Sequence, residues 1–95
     1  MFEKYEQWLI QNGYKEFTDS GKPSTVYDYS KRIGKICERE AFTIYELMSN
    51  IDSIVEKYDK GGSEEKFGLK SNSAYINALK RFKEFLEDWR IWDML

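Results

Sequence analysis

The stretch Ser71–Trp89 (SNSAYINALKRFKEFLEDW) restricts the fold of this chain more than any other part of its sequence. Its apolar and aromatic residues recur at steps of three and four, which places them on one side of an α-helix. They are Tyr75, Ala78, Leu79, Phe82, Phe85, Leu86 and Trp89. The opposite side is basic and amide-rich up to Lys83 and acidic after it. The stretch therefore predicts a long helix, with Ser71 or Asn72 as its N-cap and one face in the core.

The same periodicity predicts further helices ahead of this one. Together the predicted helices cover residues of about 2–12, 25–40, 44–59 and 72–90, with a division of the third near residue 50 as an alternative. Gly13 suits the left-handed residue that closes a helix. Thr43 and Glu46 form a capping-box pattern, and Thr25 with Asp28 forms a less regular one. These patterns predict an all-α bundle of four to five helices.

Two segments carry turn and loop residues instead. In residues 14–23 we expect a loop from which Phe17 folds back onto the core. Residues 60–69 hold three glycines and no apolar period, so we expect them to be the most flexible part of the chain. Gly34, within the second helix, either allows a close helix approach or is simply tolerated at a cost of about 1 kcal/mol.

Length and composition limit the function further. A chain of 95 residues is expected to form one domain. No apolar run is long enough to cross a membrane, and the first residues lack the pattern of a signal peptide. Cys37 has no second cysteine to pair with, and we expect it to be a small buried residue in a cytoplasmic protein. A membrane partner is therefore not expected.

Several residue types that enzymes use are missing. The chain has no histidine, which is the commonest general base and metal ligand. One cysteine cannot build a structural zinc site. Gly61 and Gly62 precede two glutamates, which would repel a phosphate. We therefore expect a protein without catalytic residues, metal or cofactor.

The charges are distributed unevenly along the chain. The net charge is −2, yet residues 22–36 hold four basic residues against one acidic residue. Residues 66–83 hold five basic residues and no acidic one, whereas residues 37–65 hold eight acidic residues against three basic ones. A charge distribution of this kind can steer a polyanion to one face of a molecule. Lysines on solvated helix faces can also cluster without function.

The order of these elements resembles the N-terminal core-binding (SAM-like) domain of tyrosine recombinases, or phage integrases. The similarity lies in Ser24–Tyr29 (STVYDY), in Ile44–Ile51 and in Ser73–Leu86, above all in the sequence LKRFKEFL at Leu79–Leu86. In that family the domain is a helical clamp that closes on one side of duplex DNA. Its second and last helices face the DNA, and its nucleophilic tyrosine belongs to a separate domain. The resemblance thus implies DNA binding without catalysis.

The resemblance also implies which residues contact DNA. Basic side chains would hold phosphates, and Asn77 and Arg81 have the geometry to read base edges. The implied contacts are Ser24, Thr25, Lys31, Arg32 and Lys35 on the second helix and Lys70, Asn72, Ser73, Asn77, Lys80 and Arg81 on the last one. This assignment requires that the two basic segments lie on one continuous surface.

A second class of function remains open. The apolar C-terminus, with Ile91, Trp92 and Leu95, predicts either packing or a docking patch for a partner or a second domain. The acidic residues of 37–65 offer a second surface for a protein partner. On this reading the chain is a stand-alone interaction domain that acts as an adaptor or an inhibitor.

Overall fold

The computed structural model describes the backbone of residues 2–94 and the side chains of residues 2–89. Within residues 2–94 the chain forms six helices and no strand, which confirms the predicted all-α bundle. The helices are α1 (Phe2–Gln11), α2 (Thr25–Glu40), α3 (Ile44–Ser49), α4 (Ile51–Tyr58), α5 (Glu65–Gly68) and α6 (Lys70–Met94). The third predicted helix is thus divided at Asn50, and α5 is an element that periodicity did not predict.

Helix α6 lies at the centre of the bundle, where it contacts α1, α2, α4 and α5. Its buried side chains are Ile76, Ala78, Leu79, Phe82, Phe85 and Leu86, whereas Tyr75 and Trp89 are half-buried. The rings of Phe82 and Tyr5 meet edge to face at 5.1 Å between centroids. Each large apolar side chain buried here stabilises the fold by about 1.5–3 kcal/mol. The central position of α6 therefore follows from its aromatic stripe.

Tyr5 of α1 shows how a polar group is accommodated in this core. Its side chain is completely buried, and its hydroxyl donates a hydrogen bond of 3.1 Å to the backbone carbonyl of Ala78. Burial raises the pKa of Tyr5 above its ordinary value, because the phenolate would lose its hydration. The hydrogen bond fixes α1 against α6 at the middle of the core.

The predicted helix caps are confirmed in one case and wrong in another. Thr43 and Glu46 form a complete capping box, with the Thr43 hydroxyl accepting from the Glu46 amide at 3.2 Å and the Glu46 carboxylate accepting from the Thr43 amide at 3.0 Å. The proposed box of Thr25 and Asp28 does not form. Ser24 holds the N-cap position of α2, and its side chain makes no capping hydrogen bond.

The start of α6 also differs from the prediction. Ser71, Asn72 and Ser73 adopt left-handed backbone angles, with φ of 55°, 58° and 64°. Neither Ser71 nor Asn72 is therefore the N-cap of a regular helix at this point. The regular right-handed part of α6 begins at Ala74, after one turn of opposite hand. Only Leu69 separates the end of α5 from the start of α6, so the left-handed turn follows α5 almost directly.

The segment expected to be most flexible is packed against α4. Gly68 is buried, and a Cβ atom there would overlap the backbone carbonyl oxygen of Tyr58. Gly62 likewise lies against the carbonyl oxygens of Glu56 and Lys57. Glycine permits these close approaches because it has no Cβ. These glycines serve close packing of α5 and the segment before it on α4, and the expected flexibility of residues 60–69 stays a prediction.

The loop between α1 and α2 is ordered, but Phe17 does not return to the core. Gly13 has a φ of 89° and closes α1 as predicted. Phe17 pairs with Pro23 in an isolated antiparallel bridge, and 56% of its surface is exposed. The backbone bonds of this bridge direct its ring outward. The prediction that Phe17 packs in the core was therefore wrong.

Gly34 and Cys37 are two small residues of α2 with different surroundings. A Cβ atom at Gly34 would meet no atom within 4 Å, so this glycine is tolerated and allows no close approach. Cys37 packs half-buried against the core as a free thiol. Burial raises the pKa of the Cys37 thiol. The thiolate, which is the reactive form of Cys37, is therefore disfavoured.

Candidate nucleic-acid interface

A groove lies between α2 and the beginning of the regular part of α6. Helical spacing brings three basic residues of α2 to the same face, and Tyr75 of α6 closes the groove opposite them. The groove has a volume of about 480 Å³ and is lined by Asp28, Lys31, Arg32, Gly34, Lys35, Glu38 and Tyr75. We call it the basic groove. It places the basic segment of α2 directly beside α6.

Aromatic rings continue this surface toward α5. The guanidinium carbon of Arg32 lies 4.7 Å from the centre of the Tyr75 ring, and the rings of Tyr75 and Phe67 are 4.4 Å apart between centroids. Phe67 in turn contacts two more cations, Arg39 at 3.8 Å and Lys70 at 5.4 Å. The electron-rich faces of aromatic rings attract such cations. Side chains from α2, α5 and α6 thus form a continuous row of cations and rings.

Three carboxylates accompany these cations. Glu38 lies 3.5 Å from Lys35, Glu64 lies 2.9 Å from Arg39, and Asp28 lines the basic groove. The first pair is largely exposed, with 52% and 73% of the two side-chain surfaces accessible. Exposed ion pairs contribute only about 0–1 kcal/mol, so a phosphate can replace such a carboxylate at little cost. The surface is positive, since its three acidic residues are outnumbered by five basic ones, namely Lys31, Arg32, Lys35, Arg39 and Lys70.

The structure brings together four of the eleven predicted contact residues, with Lys70 as the only basic one from the last helix. Lys31, Arg32 and Lys35 share the basic groove, and Lys70 joins them through Phe67. The remaining predicted polar contacts have positions at helix ends or on exposed faces. Ser24 and Thr25 are half-buried at the start of α2, Asn72 and Ser73 lie in the left-handed turn, and Asn77 is exposed on α6.

Lys80 and Lys83 of α6 lie beside α4 and are not in the basic groove. Lys80 forms an ion pair of 3.2 Å with Asp59, and Lys83 forms one of 3.1 Å with Asp52. A hydrogen bond from the Lys60 backbone amide and the contact with Lys80 lower the pKa of Asp59. These lysines connect α6 to the acidic residues of α4 and its C-terminal end.

Arg81 faces the loop that follows α1. Its guanidinium donates to the Tyr14 hydroxyl at 3.4 Å and pairs with Glu84 at 3.0 Å. The hydrogen bond to Tyr14 is the main cause of a raised pKa of Arg81. About one third of the side-chain surface, 32%, is exposed. Arg81 therefore stabilises the packing of α6 on this loop, and its assignment as a base-reading residue stays a prediction.

Arg39 is the one basic residue of the row that sequence reasoning missed; of the two rings in the row, Phe67 was not singled out and Tyr75 was assigned to the core. Charge counting placed Arg39 in the acidic segment of residues 37–65, where basic residues are in the minority. Its position relative to Arg32 and Lys35, at steps of three and four, would have put it on the same helical face. Helical spacing was thus a better guide to this surface than the net charge of each sequence segment.

A polar network beside Arg39 joins the end of α2 to α4. The Glu40 carboxylate accepts hydrogen bonds from Lys57 at 2.8 Å and from the Tyr58 hydroxyl at 2.7 Å. Although burial opposes its ionisation, these hydrogen bonds lower the pKa of Glu40. Burial and the bond to Glu40 raise the pKa of Tyr58 to about 12. Arg39 also donates to the Tyr58 hydroxyl, at 3.4 Å, so this network positions the end of the row.

The alternative protein-binding surfaces are only partly defined by the structure. Five of the eight acidic residues of 37–65 are engaged in ion pairs with basic side chains of residues 2–89, namely Glu38, Glu40, Asp52, Asp59 and Glu64. The side chains of Ile91, Trp92 and Leu95 lie outside the described residues. No helix within residues 2–94 is long and apolar enough to cross a membrane. Nor do the described side chains include a cluster of three potential metal ligands.

Comparison with known proteins gave no match to a family model, to a curated protein or to a solved structure.

Proposed function

We propose that this protein is a DNA-binding module without catalytic residues of its own, comparable to the clamp domain of tyrosine recombinases. The observation that carries the proposal is the row formed by Arg32, Tyr75, Phe67 and Arg39 with Lys70 beside it. Cations from segments far apart in the sequence meet there on one surface. The resemblance to the recombinase domain supports the same second and last helices as the DNA-facing elements.

The electrostatics of the row suit a phosphate backbone. Each phosphate that Lys or Arg neutralises releases condensed counterions, and this release drives association with duplex DNA. Arg32 and Arg39 are held against aromatic rings, so they lose less side-chain entropy when they bind. Guanidinium groups can also bind phosphate oxygens in pairs.

The shape of the surface suits a duplex groove. Helix α2 has 16 residues, which corresponds to a length of about 24 Å. An α-helix fits the major groove of B-DNA, which is about 12 Å wide. The exposed lysines of α2, Lys31 and Lys35, would then reach the phosphates along one edge of the groove. Asn77 lies on the exposed side of α6 and has an amide suited to base edges.

The acidic remainder of the chain supports an oriented approach. Residues 37–65 carry an excess of acidic residues, which repels DNA from other parts of the surface. The same excess keeps the net charge at −2, so we expect binding by the isolated domain to be weak and strongly dependent on salt.

A salt titration tests this function directly. Binding of the chain to a fluorescein-labelled duplex is measured by fluorescence anisotropy over a series of potassium chloride concentrations. Contact with about four phosphates predicts a slope of roughly −3 to −4 in a plot of log Kobs against log salt. A slope near zero, or no binding at the lowest salt concentration, would refute the proposal. Single-stranded DNA of the same sequence serves as the comparison, since the surface proposed here fits a duplex.

A further inference from the structure

The loop between α1 and α2 presents a second surface, of opposite sign to the basic groove. It forms a pocket of about 150 Å³ with Val26 at its buried floor and two carboxylates among its walls. The lining residues are Glu6, Glu16, Phe17, Pro23, Val26 and Tyr27. We call this surface the acidic aromatic patch.

The aromatic side chains of this patch are unusually exposed. Phe17 has 56% of its surface accessible and Tyr27 has 51%, and both line the pocket whose floor is the core residue Val26. Single exposed apolar residues are common on protein surfaces, but two rings on one pocket form a contiguous patch. The patch thus has apolar surface that a partner could cover.

Hydrogen bonds hold the backbone that carries these two rings. The amide of Ser24 donates to the carbonyl of Glu16 at 3.0 Å, and the amide of Val26 donates to the carbonyl of Lys15 at 3.1 Å. Across the turn, the amide of Thr18 donates to the carbonyl of Lys22 at 2.8 Å. Because the backbone is already bonded, a partner would not have to order it, and little conformational entropy is lost on docking.

The negative charge of the patch favours a positively charged partner. Neither Glu6 nor Glu16 forms an ion pair with a side chain of residues 2–89. The two carboxylates repel a phosphate at the pocket itself, which disfavours nucleic acid as its ligand. They would also face each other across a symmetric contact between two copies of this chain, where like charges are unfavourable.

We propose that the acidic aromatic patch binds a basic segment of a partner protein, with one apolar side chain in the pocket and a flanking arginine or lysine at Glu6 and Glu16. The volume of about 150 Å³ suits a single side chain of the size of leucine. This binding goes beyond the proposed DNA contact and uses a different surface. The chain would then hold DNA on one face and a basic protein segment on another.

A nuclear magnetic resonance titration of the full chain tests this proposal. The probe is a blocked peptide of sequence glycine–arginine–leucine–arginine–glycine, compared with one peptide in which serine replaces leucine and one in which glutamate replaces both arginines. The proposal expects amide shift changes at Glu16, Phe17 and Tyr27 with the first peptide. Both altered peptides should bind at least about tenfold more weakly. Equal binding of the serine peptide, or shifts elsewhere with none at the patch, would overturn the proposal.

Variants of the chain give a second test. Phe17→Ser with Tyr27→Ser should lower affinity for the first peptide at least about tenfold. These residues are exposed, so circular dichroism should remain unchanged. Glu6→Gln with Glu16→Gln should also weaken binding, whereas the matched change of Glu56 and Glu87 to glutamine should not. Peptide affinity equal to that of the unaltered chain in either patch variant would contradict the proposal. Dilution-dependent shifts at the patch without peptide would assign it to self-association and overturn the proposal as well.

Discussion

The guanidinium of Arg32 lies over the ring of Tyr75, with its carbon 4.7 Å from the ring centre. This contact joins α2 to α6 at the position where the proposed DNA surface begins. Through Phe67, which is stacked obliquely beside Tyr75, the same surface continues to Arg39. The relation between the two basic segments therefore depends on aromatic side chains that hold the cations in place.

We expect this contact to contribute measurably to stability. A double-mutant cycle with Arg32→Gln and Tyr75→Leu should give a coupling energy of about 0.5–1 kcal/mol, as for a partly exposed cation–π pair. Urea denaturation of the four proteins measures it. The control cycle pairs Lys31→Gln with Tyr75→Leu, because Lys31 lines the groove without lying over the ring. Coupling equal in both cycles would show that the ring contact is not specific to Arg32.

Replacing each of two glycines by alanine should change the stability of the protein in opposite directions. Gly34→Ala should raise the free energy of unfolding by about 0.5–1 kcal/mol, because the helix gains propensity and the new Cβ meets no atom within 4 Å. Gly68→Ala should lower it by more than about 2 kcal/mol, because the Cβ would overlap the Tyr58 carbonyl. Thermal denaturation of both variants checks the pair. Similar changes in both would contradict the close contact of α5 with α4.

The left-handed turn near the start of α6 leads us to expect that a glycine there would stabilise the protein. Ser73 has a φ of 64°, which costs about 1–2 kcal/mol for a residue with a Cβ atom. After the larger entropy loss of glycine is subtracted, Ser73→Gly should stabilise the protein by about 0.5–1 kcal/mol. The neighbouring Ala74→Gly, in a right-handed helix, should destabilise it by about 1 kcal/mol. If both variants are destabilised alike, Ser73 is part of a regular helix and the turn is absent.

The lowered pKa of Glu40 predicts that the protein loses stability at acid pH. Its pKa in the folded protein lies below the ordinary value of 4.5, so its contribution is fully present above that value and is lost as the pH falls through the folded pKa. Glu40→Gln should lower the free energy of unfolding at neutral pH by about 1–2 kcal/mol and flatten its fall below about pH 5. Chemical denaturation between neutral and acid pH measures both effects. The exposed Glu87→Gln should retain the slope of the unaltered chain; an equal flattening there would refute the role of Glu40.

Much of the helical architecture could be predicted because its causes are local. The apolar period of α6 and the capping box at Thr43 require only neighbours within one or two turns of helix. The division at Asn50 was open in the sequence, since Ser49 and Asn50 interrupt the helical pattern without a glycine or proline. The short helix α5 was missed because its stability depends on contact with α4 rather than on its own period.

The candidate site was less predictable because it depends on contacts between distant residues. Charge counting found Lys31, Arg32 and Lys35, but it could not show that Lys80 turns toward Asp59. Nor could it reveal that Arg39, within an acidic segment, lies against Phe67. Tyr75 was interpreted as a core residue, yet it is half-buried and contacts Arg32. Its two roles are compatible because the ring packs against Phe67 and the core and also lies within contact of the Arg32 guanidinium.

The proposed location of the DNA-binding surface rests on the lysines of the basic groove, Lys31 and Lys35. Lys31→Glu with Lys35→Glu reverses their charge without breaking the internal bonds that Lys80 and Arg81 make. The matched control is Lys15→Glu with Lys22→Glu, which makes the same change in net charge at exposed residues of the α1–α2 loop. Circular dichroism should show that both variants keep the helical fold.

The most direct test is therefore the affinity of these two variants for a labelled DNA duplex, measured by fluorescence anisotropy at one low salt concentration. We predict that the variant of Lys31 and Lys35 binds at least about tenfold more weakly than the unaltered chain. The loop variant should stay within about threefold of it. Equal weakening of both variants, or full binding by the groove variant, would contradict the assignment of the basic groove as the DNA-binding surface.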